Sequence, residues 1–187
     1  MSIFDKLKSN APVQSASINS GSGRSSATFT LAALPESLAQ MQAMPEAALK
    51  DPFQTAALTV CALCAYAADR SIGTEMLNWL RGPRPLSPFD ISFLNDRFRD
   101  GHHVIFSYFA GARPENDYTP TQPFTLTFEA GPYADANPGY KKLHIRSGGA
   151  DNPREIVLRQ KGDGTWLLWD QFLLVSIRPP KSADPWA

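Results

Sequence analysis

Residues 154–172 read REIVLRQKGDGTWLLWDQF. Two β-prone runs, residues 156–160 and 165–169, flank Lys161-Gly162-Asp163-Gly164, which has the composition of a hairpin turn. Strands joined by tight turns run antiparallel. Trp166 and Trp169 are an odd number of residues apart, so they face opposite sides of their strand.

The same texture extends on both sides of this hairpin. Residues 103–109, 124–128, 142–146 and 173–177 read as further strands between clusters of Gly, Pro and Asn. Phe124, Leu126 and Phe128 alternate onto one face, as do Leu143 and Ile145.

Before Gly101 the period changes to that of helices. Residues 28–31 are expected as a short strand and residues 35–43 as the first helix, opened by Pro35. Asp51-Pro52-Phe53-Gln54 is a strong helix start: Asp51 caps, Pro52 needs no N–H partner, and Gln54 completes a capping box. Residues 56–68 are then apolar nearly all round, as in a helix touched from several sides. A third helix is expected from Gly73 to Gly82, carrying Met76, Leu77 and Leu80. A fourth opens at Ser87-Pro88-Phe89-Asp90, buries Ile91, Leu94 and Phe98, and ends at Gly101. Helices first and strands second give an α+β fold, a helical N-terminal half packed on a C-terminal antiparallel β-sheet.

Composition sets outer bounds. The chain has 187 residues, 43% of them hydrophobic, with 18 Lys+Arg against 18 Asp+Glu. Zero net charge excludes a polycation held to nucleic acid by bulk charge, so no nucleic-acid partner is expected. The apolar content is that of a folded domain rather than a disordered chain. No apolar run reaches the roughly 18 residues of a membrane-spanning helix. Two cysteines do not make a disulfide framework.

Three parts are expected along the chain. Residues 1–8, MSIFDKLK, place Ile3, Phe4 and Leu7 on one face beside Lys6 and Lys8, a short amphipathic segment and the one place where membrane contact is expected. Residues 9–27 are rich in Ser, Gly and Ala and read as a flexible linker. Residues 28–187 form a single domain.

Motifs for chemistry are sparse. Cys61 and Cys64 lie inside an apolar helix with no second pair, so they read as small buried hydrophobes rather than zinc ligands. His102 and His103, on an expected strand, point to opposite faces, which leaves His144 at most one of them as a companion. No metal site, cofactor or catalytic constellation is nominated.

Two loops are more specified than a connection requires. In residues 111–120, Pro114 and Pro120 stiffen a segment presenting Glu115, Asn116, Asp117 and Tyr118. In residues 146–154, Gly148-Gly149 permits an anion-holding nest of N–H groups flanked by Arg146, Asp151 and Arg154, with Arg159 on the next strand. Eleven arginines stand against seven lysines, and Arg81, Arg84, Arg97, Arg99 and Arg113 cluster near the junction of helices and sheet, an anionic-ligand surface or, as 18 acids favour, internal ion-pairing glue between layers. Trp186 is expected to pack back on the domain or on a partner.

The segments DPFQTAALTVCALCAY, LRGPRPLSPFD, FAGARPENDYTP, RSGGADNPR, WLLWDQFLL and DPWA, in this order, resemble an uncharacterised bacterial domain family of unknown function. The resemblance runs from Leu34 to Ala187 and leaves the N-terminal arm outside. It implies a bacterial, cytoplasmic protein and brings no activity or catalytic residue. A looser, fold-level analogy is to α+β folds whose helices pack on a curved sheet around a pocket. The residues themselves suggest a non-enzymatic binding or protein-interaction module. Its partner would be an unknown protein or small anionic ligand, met by the two loops. The alternatives are a small-molecule enzyme with acid–base carboxylates and an Arg-lined anion site, or a peripheral membrane protein docked by residues 1–8.

Overall fold

The computed structural model describes residues 15–18, 25–99 and 101–186. The expected amphipathic segment with Ile3, Phe4 and Leu7 lies outside the described residues, as does most of the stretch read as a linker.

Six strands form one antiparallel meander in sequence order: β1 (Ser15–Ile18), β2 (Ser26–Leu31), β3 (Phe124–Glu129), β4 (Tyr140–Ile145), β5 (Arg154–Gln160) and β6 (Trp166–Gln171). Among the described residues the α-helices are α1 (Leu38–Gln42), α2 (Pro52–Ala68), α3 (Arg70–Arg81), α4 (Pro88–Arg97) and the single turn α5 (His103–Phe106). The fold is α+β, with helices mainly in the N-terminal half and an antiparallel sheet built largely from the C-terminal half.

One sheet face is apolar. Phe29 pairs with Leu126, Leu31 with Phe124, Phe128 with Ile145, Leu143 with Ile156, and Leu158 with Leu168, all buried. The alternation in β3 places Thr125, Thr127 and Glu129 on the opposite face, where Thr127 Oγ1 lies 3.0 Å from Thr28 Oγ1. This is how a sheet with one packed and one wet face is patterned.

Helix α2 lies on the apolar face, touching β3, β4, β5 and β6 as well as α3 and α5. It begins as its sequence requires, with a capping box between Asp51 and Gln54. Its residues from Thr55 to Tyr66 are all buried. The two buried threonines are satisfied: Thr55 Oγ1 donates to Trp166 O at 2.7 Å, and Thr59 Oγ1 to Thr55 O at 2.8 Å. Asp69 caps α3, accepting from the N–H groups of Ser71 and Ile72, so that helix starts before Gly73. Ser87 and Asp90 form the second capping box, opening α4.

Several expectations are corrected. Residues 103–109 are not a strand: α5 and its following turns occupy them, and Val104 to Phe109 are buried without a break. A strand on this one-faced sheet would alternate, and burial on all sides overrules the β-propensity of Val104 and Ile105. His102 and His103 therefore do not alternate across a strand. Residues 173–177 are not the final strand, because side chains claim their carbonyls. Tyr108 Oη donates to Leu173 O at 2.5 Å, and Arg154 donates to Val175 O and Ser176 O at 3.1 and 3.0 Å. Helix α4 ends at Arg97 rather than at Gly101. Trp186 does not pack back: it is 93% exposed, its N–H held by Asp184 Oδ1 in a local turn.

Helices α2 and α3 approach closely at one point. A Cβ at Gly73 would overlap the backbone of Tyr66. Gly73→Ala should therefore destabilise the domain by about 3 kcal/mol despite Ala's better helix propensity. Urea denaturation measures this, and an unchanged midpoint would contradict the close approach.

Candidate functional site

The two specified loops meet. Gly148 N donates to Ser107 O at 2.8 Å, and a Cβ on Gly148 would overlap Ala112 O. A Cβ on Gly149 would likewise overlap Tyr118 Oη. The glycines thus serve close packing of one loop on the other. Their N–H groups do not form an open nest, because Gly149 N donates to Ser147 Oγ at 3.0 Å. Ser147 Oγ in turn lies 2.8 Å from Ser107 Oγ, a buried hydroxyl pair.

Most of the expected binding residues here bond to the fold itself. Asn116 accepts from Arg113 N and donates to Gly111 O and Thr119 O, closing its loop. Tyr118 is fully buried, stacks on His103 and donates to Arg178 O at 2.7 Å. Arg154 spends its guanidinium on the carbonyls of Asn152, Val175 and Ser176. Asp151 pairs with Arg178 at 2.9 Å, and Asp117 accepts from Ser182 N at 3.2 Å. Arg159 lies over the rings of Tyr140 and Trp169, and Arg84 also covers Trp169 at 4.0 Å. Glu115 and Arg146 are exposed.

A different place in the fold is concave. A cavity of about 350 Å³ opens between α3, α4 and the end of β6. Leu63 of α2, Leu77 and Arg81 of α3, and Leu86 of the connection contribute to its wall. Phe89, Asp90, Phe93 and Leu94 come from α4, and Leu168, Asp170, Gln171, Phe172 and Val175 from β6 and the turn after it. Phe89 is 80% exposed and Phe172 48%, so two aromatic rings stand open to water beside an apolar hollow.

Arg81 is the unusual member. It extends the buried stripe of α3 formed by Gly73, Met76, Leu77 and Leu80, and is itself 8% exposed. Its Nε donates to Arg84 O at 2.9 Å, and Nη2 lies 3.8 Å from Asp90 Oδ2. Burial lowers its pKa, and the charge of Arg84 adds to that. Asp90 and Asp170 oppose the shift without cancelling it. For Asp90, burial acts upward, but hydrogen bonds from Ser87 N and Oγ and the charges of Arg81 and Arg84 outweigh it and leave the carboxyl below its usual range.

Sequence reasoning passes over Phe89, Asp170 and Phe172 as site residues and meets Arg81 only as one of five arginines for which internal pairing is favoured over an anionic-ligand surface. Arg81 carries a signal: it falls four residues after Leu77, on the apolar stripe, where a charge is out of place. Elsewhere, Cys61 and Cys64 are buried free thiols, with Cys61 pushed up to about 12 by burial. No group of three or more His, Cys, Asp or Glu suited to a metal occurs among the described residues.

Two measurements follow from these contacts. Arg154→Ala should cost about 2 kcal/mol in urea denaturation, because it strands carbonyls, whereas Arg146→Ala should cost less than about 0.5 kcal/mol. Equal losses would contradict the clamp. The lowered folded-state pKa of Asp90 means its stabilising contribution is full above the unfolded carboxylate value. That contribution is lost as pH falls through the folded one. The stability gap between wild type and Asp90→Asn should thus shrink from about pH 6 to about pH 2. A gap independent of pH would contradict the assignment.

No curated protein and no solved structure matches the chain. A family model does, over residues 33–181, and its description is a domain of unknown function, DUF6935. The match spans α1 to α5, the strands β3 to β6 and the whole cleft, and the chain belongs to this DUF6935 family.

Proposed function

We propose that the protein is a non-enzymatic binding module whose ligand occupies the cleft between α3, α4 and the end of β6. The observation that carries this is an apolar cavity of about 350 Å³ with a nearly buried arginine in its wall. Ligand sites combine an apolar lining with a few placed polar groups in this way. Binding is favoured over covalent catalysis by what lines the hollow. Among the described residues no Ser, Thr, Cys, His, Lys or Tyr does so, and its polar groups are Arg81, Asp90, Asp170 and Gln171. Glu115 and Asp117, the carboxylates an acid–base enzyme would draw on, are exposed side chains outside the cleft.

The module acts, in this reading, in a bacterial cytoplasm. The two buried, unbridged cysteines suit a reducing compartment. No helix among the described residues is long and apolar enough to cross a membrane.

Methyl-labelled NMR tests the site. Titrating octan-1-ol, an apolar probe, should shift the methyls of Leu77, Leu86 and Leu168 saturably. Leu86→Trp, which fills the hollow, should abolish the shifts. Shifts confined to methyls elsewhere would overturn the proposal.

A further inference from the structure

We infer that the ligand of this cleft is a small apolar carboxylate, its hydrocarbon part in the hollow and its carboxylate forked onto the Arg81 guanidinium. This rests on the cleft being the binding site.

Arg81 has five N–H donors. One of them, on Nε, is spent on Arg84 O. Its ion-pair neighbour Asp90 stands 3.8 Å from Nη2, beyond hydrogen-bond reach. The oxygen facing it, Asp90 Oδ2, is already taken by Ser87 N at 2.8 Å and Ser87 Oγ at 2.7 Å. The Nη donors therefore remain on a side chain that is 8% exposed and lines the cavity. These Nη donors face the hollow with no protein acceptor among the described residues in hydrogen-bond reach, and a planar carboxylate is the group whose geometry meets a guanidinium with two parallel bonds. The lowered pKa of Arg81 agrees: the charges around it do not replace the water it lost.

The surroundings do not repel an anion. Arg81 and Arg84 balance Asp90 and Asp170. Asp170 is exposed, and its Oδ1 accepts the N–H of Gln171. Apart from Gln171, whose Oε1 accepts from Leu173 N, the rest of the wall is hydrocarbon, and Phe89 and Phe172 leave ring surface at the mouth for a ligand to cover. The volume lies at the small end of ligand cavities, which favours a small molecule over a protein segment.

The test is calorimetric titration of the full chain with octanoate and, separately, octan-1-ol, which share a chain and differ in the head group. Octanoate should bind at least about tenfold more tightly, the difference a charge-assisted pair makes. Arg81→Met should bring the two affinities together, and Arg81→Lys, which keeps the charge but not the fork, should fall between. The wild-type ratio decides the question even where a variant fails to fold. Octan-1-ol binding as tightly as octanoate would overturn the carboxylate and leave the cleft as a site. Binding of neither probe would overturn both.

Discussion

The structure depends on a helix that must be covered on nearly every side. From Thr55 to Tyr66, α2 exposes almost nothing. A sheet can cover one flank of such a helix and no more. The apolar faces of β3 to β6 take that flank, and α3 and α5 supply further cover. Small residues on α2, including Ala56, Ala57 and Ala62, let its neighbours come near, and Gly73 does the same from α3. The cleft belongs to this arrangement. Leu63 of the central helix and Leu77 of its neighbour both reach its wall, so the hollow lies against the packed core rather than on a detached surface loop.

Local signals were legible where local forces decide. The boxes at Asp51/Gln54 and Ser87/Asp90 involve residues three apart, and both formed as read. The turn at residues 161–164 and the alternation at Phe124, Leu126 and Phe128 are equally short-range. Residues 103–109 and 173–177 were misread because their conformation is set from far along the chain. Tyr108 reaches Leu173, and Arg154 reaches Val175 and Ser176. No window of a few residues contains both members of such a pair.

The candidate site divides in the same way. The polar loops around Asn116 and Gly148 stood out by composition, and much of that composition serves to hold the loops together. The cleft draws on α2, α3, α4 and β6, and its lining residues are ordinary core types except Arg81, Asp90, Asp170 and Gln171. A charge on an apolar stripe was its one mark in the sequence. Tyr118 and Arg154 show that polar side chains conspicuous in a sequence can act as staples between distant backbone segments, and Asn116 that one can close its own loop.

The family match begins at residue 33, after β2 has ended, yet β2 is fully in register with β3. A chain trimmed to the matched residues would leave the far side of β3 as a bare border of unpaired peptide groups, with Phe124, Leu126 and Phe128 robbed of Leu31, Phe29 and Ala27. Such a border is a template for a strand from another molecule. In the longer chain that role passes to β1, four residues of Ser, Ala, Ser and Ile, too short and too sparsely apolar to recruit much. The antiparallel pair of β1 and β2 thus works as a selvedge, finishing this side of the sheet.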